Sequence, residues 1–595
     1  MRSIVEPYAS SRWQRLAGPA VILLAAAIAT APQFFRGNSC GHDFDIHLVS
    51  WFDCLSSWRH GILYPQWTPS PNYGAGEPRF IFYPPLTWML GAALGIVLPW
   101  QIVPIVLTFL LLAATGLATR ALALHALPDA SATLAGCAAL FSGYALFTAY
   151  ERSAFGELAG FWIPLLLLFI LRDGSPDGSL GRRAFDGSCT PVAIVLAGAW
   201  LSNAPLGVMA SYLLAAVALV LAVLRHTWAP ILRAAVAAGL GIGLTGFYLV
   251  PAAWEQRWVD IRQATDDPGL KIENSFLFAH PSDPALDLHN IELNRVSVIS
   301  VSMVGIALAG LFAAWRRKAF PADRRWWIPL ALIPIAVLFM QLPISLPLWN
   351  LLPKLRFLQF PWRWLVVLEA PMGLFFAAAV WPGAAARRWL RVAVPAVCAA
   401  LFLASTAIAA VTFFQPCDEE DAVAPMVQVN RSGAGFEGVY EYEPIGADDG
   451  LVPTGLPDAC LVTNPRIPLG VLDTPGANPD WWIEQHSCDS VYSAVTRNPE
   501  HLHIQAAIPH TGYLILRLRT YPAWRITVNG RPANSLGRED GLTVVPVGQG
   551  PAEIDADWTT SPDVLAGRWL SAIVLLLIMA LWFIERRNSS SILET

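Results

Sequence analysis

Apolar runs of the length needed to cross the hydrocarbon core as a helix recur along the chain. They fall near 16–33, 101–124, 132–149, 158–171, 190–203, 205–224, 231–253, 296–315, 326–343, 361–380, 391–413 and 565–584. This pattern predicts a mainly α, polytopic helical membrane protein of about twelve spans. Residues 86–99 (LTWMLGAALGIVLP) are short for a span and bracketed by Pro85 and Pro99. They are expected to lie at the interface, or to re-enter it, beside the preceding loop. Segments 158–171 and 190–203 are also short and are expected inside the bundle, tilted or with the membrane thinned around them.

Before the last apolar run the period shortens. HLHIQAAI, GYLILRLRT, WRITVNGRPA, GLTVVPVG and AEIDADW alternate apolar and polar residues, and Asn529–Gly530 is a two-residue hairpin turn. A small antiparallel β domain is therefore expected over about 490–558, inside an outward region 414–563. The stretch from Cys417 to Asp480 is rich in Pro and Gly and receives no assignment. Residues 1–413 form the helical domain, and 564–595 a last helix with its tail.

Charge sets the orientation. Only 14% of residues are charged against 55% hydrophobic, and mean hydropathy is +0.47. The net charge of −5 says little, because the charges are sorted by side. With the N-terminus in the cytoplasm, Arg120, Arg172, Arg182, Arg183, Arg225, Arg316, Arg317, Lys318, Arg324, Arg325, Arg387, Arg388, Arg391, Arg586 and Arg587 all fall inside. Both termini are then cytoplasmic. No basic run suits a nucleic acid. Arg2, Arg12 and Arg15 precede the first apolar run and no small-residue cleavage site follows it, so it reads as a retained helix.

Four regions then face outward. The loop 34–85 carries His42, Asp43, Asp45, His47 and Asp53, and then an aromatic cluster holding Tyr73, Glu77, Arg79 and Tyr83. It is longer and more aromatic than a connecting loop needs to be, and it reads as an active-site loop. Within it IHLVSWFDCLSSW is an amphipathic helix with Ile46, Val49, Phe52 and Leu55 on one side, for which Asp45 could serve as N-cap. The other regions are the turn AYERSAFGE (149–157), the mixed-charge stretch 254–295, and 414–563. Cys40 and Cys54 could close a staple across the acidic motif. Cys417, Cys460 and Cys488 leave at least one unpaired or paired elsewhere, and Cys137, Cys189 and Cys398 read as packing residues.

A first outward loop with paired carboxylates resembles the C-type superfamily of membrane glycosyltransferases. GILYPQWTPSPNYGAGEPRFIFYPPL, LPKLRFLQFPWRWL, FYLVPAAWEQR and YPAWRITVNG…DGLTVVPV resemble the bacterial YfhO-like membrane proteins and the group labelled 6-pyruvoyl-tetrahydropterin synthase-related. The resemblance spans nearly the whole chain and implies an inner-membrane enzyme. It would take sugar from a polyprenyl-phosphate donor to a periplasmic glycan, lipid or protein acceptor, with inversion.

Such chemistry needs a carboxylate to take the acceptor's proton and a cation to meet the departing phosphate. Asp43 is the candidate base, with Asp45 as partner or metal ligand. His42, Asp43 and Asp45 could hold a divalent metal, and no other cofactor is implied. Glu151 and Glu157 form a second acidic element, for which a structural ion pair with Arg152 is the alternative. Arg152, Lys354, Arg356 and Arg363 are candidate phosphate ligands, with snorkelling at the interface as their alternative. His47, Tyr73, Glu77, Arg79 and Tyr83 would line the substrate loop, although aromatic belts give the same composition. Two other classes stay open. A transporter or flippase of lipid-linked saccharide would need a polar path through helices that carry almost no charge. A non-catalytic envelope assembly protein would tolerate loss of Asp43.

Overall fold

A computed structural model describes residues 12–172, 189–321, 323–383, 386–452, 454–467 and 491–591. Arg2, Arg182, Arg183 and Cys488 lie outside them. The protein is a polytopic helical membrane protein with a β-rich domain ahead of its last helix. Among the described residues 7 helices are long and apolar enough to span a membrane, or up to 10 if each bent pair is one span. The expected twelve also counted Phe155–Leu171 and Cys189–Ser202, which fall below the length of a single span.

One bent pair packs closely on the last helix. Ala229–Leu244 and Gly246–Trp258 meet at 75°. A Cβ at Gly246 would come within 2.9 Å of Leu570, and one at Gly567 within 2.5 Å of the Gly246 carbonyl. The two glycines therefore let the bent helix lie directly on Pro562–Ser591. Asp287–Arg316 runs for 30 residues. At 1.5 Å per residue that is about 45 Å, longer than the hydrocarbon core, so its first turns project beyond it. The end of the stretch 254–295 is thus helical. The short Pro85–Val97 helix packs beside the first loop, as expected, with the Trp88 ring tilted against Phe80 at 4.3 Å and bonded through Nε1 to the Tyr83 carbonyl. The helices do hold buried charge, contrary to expectation. Glu369 accepts a hydrogen bond from Ser142, and Arg233 donates to the Ile170 carbonyl.

The β domain is two antiparallel sheets. Strands β1 (Ala459–Val462), β4 (Gly512–Arg519) and β7 (Leu542–Val547) form one in the order β1-β4-β7. Strands β2 (Tyr492–Asn498), β3 (His501–Ile508), β5 (Trp524–Val528), β6 (Arg531–Pro532) and β8 (Gly550–Trp558) form the other, in the order β2-β3-β8-β5-β6. The alternation in β3 buries Leu502, Ile504, Ala506 and Ile508. Asn529 and Gly530 both take positive φ and close the β5–β6 hairpin, as their dipeptide requires. β1 lies in the Pro- and Gly-rich stretch that the periodicity left blank.

The aromatic half of the first loop seats this domain. Trp67 is 2% exposed among Tyr521, Trp524 and Trp558, at ring distances of 6.0, 5.5 and 5.4 Å. Arg497 donates to the Gly74 carbonyl at 2.5 Å, and the Arg519 amide to that of Ala75 at 2.9 Å. The covalent link differs from the expected staple. Cys40 is bonded to Cys417, 377 residues away, and Cys54 is a buried thiol. Cys54 sits ten residues into the helix Phe44–Arg59, about 15 Å along its axis, beyond disulfide reach of Cys40.

Candidate active site

Three turns meet around Asp43. Ser39 donates to the Tyr150 carbonyl at 2.6 Å, Ser153 donates to the Ser39 carbonyl at 2.6 Å, and the Gly41 amide donates to Ser153 Oγ at 3.1 Å. The Asp43 amide donates to the Arg152 carbonyl at 2.9 Å. A Cβ at Gly41 would lie 2.2 Å from the Glu151 carbonyl oxygen, so only glycine admits this approach. The third turn, residues 415–417, is tied on by the Cys40–Cys417 bond and by the Cys40 amide on the Gln415 carbonyl. Thr148–Arg152 is a short π-helical turn ending at Ser153, whose φ is +50°. That turn aims Arg152 at the first loop and Glu151 at Gln415.

The result is a file of alternating charge. Arg152 Nη2 is 3.4 Å from Asp43 Oδ2, and Arg152 Nη1 is 2.5 Å from Glu157 Oε2. Arg363 Nε stands 3.5 Å from the same Glu157 oxygen, and the Tyr144 hydroxyl donates to Glu157 Oε1. Glu157 and Arg152 are buried, and their mutual partners offset the cost of removing them from water. Asp43 is the accessible end, with 31% of its side chain exposed. Its Oδ1 has no hydrogen-bond or ion-pair partner among the described residues.

A second group flanks this file. Glu151 accepts from Gln415 Nε2 at 2.8 Å and lies 3.5 Å from Arg295, which is 45% exposed. His42 is 3.9 Å from Glu292. Both Glu292 and Arg295 come from the projecting turns of Asp287–Arg316.

His47 lies one turn beyond Asp43 and is buried between Phe155 and Tyr83, at 5.1 and 5.7 Å. Its Nε2 is 3.5 Å from the Tyr83 hydroxyl. Burial depresses its pKa to about 4, with Arg79 and Arg152 assisting and Asp43 opposing, so the imidazole is neutral. Burial, reinforced by Asp43 and Glu441, raises the Tyr83 pKa and keeps that hydroxyl protonated.

The remaining candidates divide between this site and other places. Asp43, not Asp45, occupies the N-cap position of Phe44–Arg59, and it makes no side-chain cap bond. Asp45 is exposed and lines a cavity of about 340 Å³ with Cys40, Gly41, Phe44 and Asp421 and with His42 and Gln415 of the flanking group. Among the described residues no three His, Cys, Asp or Glu side chains are placed to hold a metal.

Glu77 and Arg79 form a buried pair at 2.6 Å. Glu77 also accepts from Asn72 and from the Val439 amide, and Arg79 donates to the Ile46 carbonyl and Ser50. They tie the loop helix to the segment around Val439. Tyr73 packs on the β domain near Ala75 and Ile515. Lys354 donates to Gln256 at 3.0 Å, and Arg356 pairs with Glu273, so these two cations turn to the 254–295 stretch. Arg152 and Arg363 alone of the four candidate phosphate ligands join Asp43's file.

Sequence reasoning passed over Tyr144, Glu292, Arg295, Gln415 and Glu369. Glu292 and Arg295 had a legible signal, being charged residues at the mouth of an apolar run. Tyr144 had none, since a hydroxyl inside an apolar run is common.

A family model described as 6-pyruvoyl-tetrahydropterin synthase related domain, membrane protein, matches residues 80–416, more than half of the chain. The chain belongs to that family. The matched part of this family member holds Glu151, Arg152, Glu157 and Arg363, and Asp43 lies ahead of it. No curated protein matches the chain.

Among solved structures it is similar to the archaeal oligosaccharyltransferase AglB from Archaeoglobus fulgidus in complex with an inhibitory peptide and a dolichol-phosphate. That likeness has 12% identity and a TM-score of 0.43, over 73% of this chain and 62% of the other. It is also similar to arabinofuranosyltransferase AftD from Mycobacteria, at 18% identity and a TM-score of 0.39 over 68% and 28%. ArnT from Cupriavidus metallidurans bound to undecaprenyl phosphate matches at 13% and 0.30 over 62% and 78%. The chain thus spans 62% of the archaeal enzyme's length.

Proposed function

We propose that this protein is a membrane glycosyltransferase. It takes a sugar from a polyprenyl-phosphate donor and passes it to an acceptor on the outward face of the inner membrane, with Asp43 as general base. The observation that carries the reading is the state of the Asp43 carboxylate. Oδ2 is held by Arg152, Oδ1 is free to accept a proton, and the side chain alone of its file is accessible.

The chemistry follows in one displacement. An acceptor hydroxyl oxygen attacks the anomeric carbon and gives its proton to Asp43 Oδ1 as the new glycosidic bond forms. The bond from the anomeric carbon to the phosphate oxygen breaks on the opposite side, and the electron pair leaves with the polyprenyl phosphate. A single displacement inverts the anomeric configuration. Arg152 fixes the carboxylate, and Glu157 with Arg363 and Tyr144 fixes Arg152, so the base is oriented before substrate arrives. The half-exposed Arg295 is the cation best placed to meet the phosphate's charge. The β domain, seated on the first loop through Trp67, would position the acceptor.

The donor class is tested with the full chain purified in nanodiscs and supplied with synthetic polyprenyl-phosphate sugars. Release of free polyprenyl phosphate that depends on acceptor supports the reading. No release with any such donor moves the envelope-assembly reading ahead of it.

A further inference from the structure

At the far end of the loop helix Phe44–Arg59 lies a second outward cavity, of about 280 Å³. Its lining residues on that helix, Phe52 to Arg59, lie about 14–24 Å along the axis from Asp43. Its volume is near the lower end of the ~300 Å³ at which small-molecule pockets begin, which suits a single sugar ring.

The floor is Asp53, 1% exposed, whose two oxygens accept from the Ser70 hydroxyl at 2.5 Å and the Ser70 amide at 3.1 Å. One wall is Trp100, partly buried and held edge-on by Phe52 at 4.8 Å. The other is the helix Val423–Ser432, which contributes Asn430 and Arg431. Arg59, the last residue of the loop helix, completes the rim. Neither Arg59 nor Arg431 makes an ion pair among the described residues, so two guanidinium groups face a cavity whose lone carboxylate is already engaged.

We infer that this cavity binds a monosaccharide unit carrying a carboxylate or phosphate, with Arg59 and Arg431 on its anionic group and Trp100 and Asn430 on its ring. Guanidinium groups match both anions in geometry and charge. An indole face with neighbouring amide and hydroxyl groups is what a ring with hydroxyls on its edge requires. A bare anion would leave Trp100 and Asn430 without a role, and a neutral sugar would leave both arginines unpaired. The inference does not depend on the transfer reading, because nothing in the cavity belongs to the file around Asp43.

The test is calorimetric titration of the full chain in phosphatidylcholine nanodiscs. Glucuronate and glucose 6-phosphate should bind at least tenfold more tightly than glucose, and glucose 6-phosphate more tightly than inorganic phosphate. The exposed double variant R59Q/R431Q, which should keep the wild-type melting temperature, should lose tenfold or more in glucuronate affinity. Equal binding of glucose and glucuronate, equal binding of inorganic and sugar phosphate, or an unaffected double variant would each overturn the inference. So would loss of glucuronate binding in phosphatidylglycerol nanodiscs, which would assign the arginines to a lipid headgroup. Unchanged affinity there supports the sugar.

Discussion

Raising the pH from 4 to 8 should cost this protein stability through one carboxyl group, that of Asp53. The group is 1% exposed in the loop helix, and burial pushes its pKa from 3.8 up to about 7, against the hydrogen bonds from Ser70 and the charge of Arg79. In the unfolded chain Asp53 ionises near its ordinary value, while the folded chain keeps the proton to near neutrality. Between those values the folded state binds more protons, so stability falls as pH rises. It is fully present below about pH 4 and lost by the time the pH passes about 7. About three units at 1.36 kcal/mol each give about 4 kcal/mol as the upper size of the effect.

Asp53→Asn cannot ionise; its amide oxygen can still accept from the Ser70 backbone amide while its NH2 donates to the Ser70 hydroxyl, so it should remove the slope. The assay is unfolding in nanodiscs from pH 4 to 8, read as wild type minus variant so that every other titrating group cancels. The difference should move in the variant's favour with rising pH, most steeply between pH 4 and 7. Parallel profiles would refute the reasoning and mean that Asp53 is ionised and compensated in the folded protein.

Two further outcomes follow from the same contacts. Peptide mapping of non-reduced protein should recover Cys40 joined to Cys417, and Cys417→Ser should cost about 2–5 kcal/mol, whereas a Cys40–Cys54 peptide would contradict the fold. Glu157→Gln leaves Arg152 and Arg363 facing a neutral amide in a buried site, so it should destabilise by about 3–5 kcal/mol, measured by unfolding in the same nanodiscs.

Most helices and most strands of the β domain were legible from the run or alternation of apolar residues, whereas β1 and the helix Val423–Ser432 were not. Apolar runs mark spans, and the alternation from His501 to Ile508 marks a strand whatever surrounds it. The Asn529–Gly530 turn was legible for a similar local reason, since both residues adopt positive φ at small cost. What failed was long-range. Cys40 meets Cys417 across 377 residues, and no spacing rule reaches that far.

The site divides the same way. Asp43, Glu151, Arg152 and Glu157 could be picked out as charged residues at the ends of apolar runs, where desolvation makes charge costly. Lys354 and Arg356 carry the same local signature as Arg363, and only the packing of Pro361–Trp364 against Glu157 separates them. Glu77 and Arg79 looked like substrate-loop chemistry because sequence does not reveal that Trp67 and Asn72 beside them anchor a domain.

The most direct measurement is the transfer rate of Asp43→Asn against wild type with a polyprenyl-phosphate sugar and a saturating acceptor. The substitution keeps the size of the side chain and its contact with Arg152 but removes the ability to take a proton. General base catalysis contributes roughly 10²–10⁴-fold, so turnover should fall by that order while protein level and donor binding persist. If Asp43→Asn transfers sugar at the wild-type rate, Asp43 is not the base, and Glu151, held by Gln415 beside Arg295, becomes the next residue to substitute.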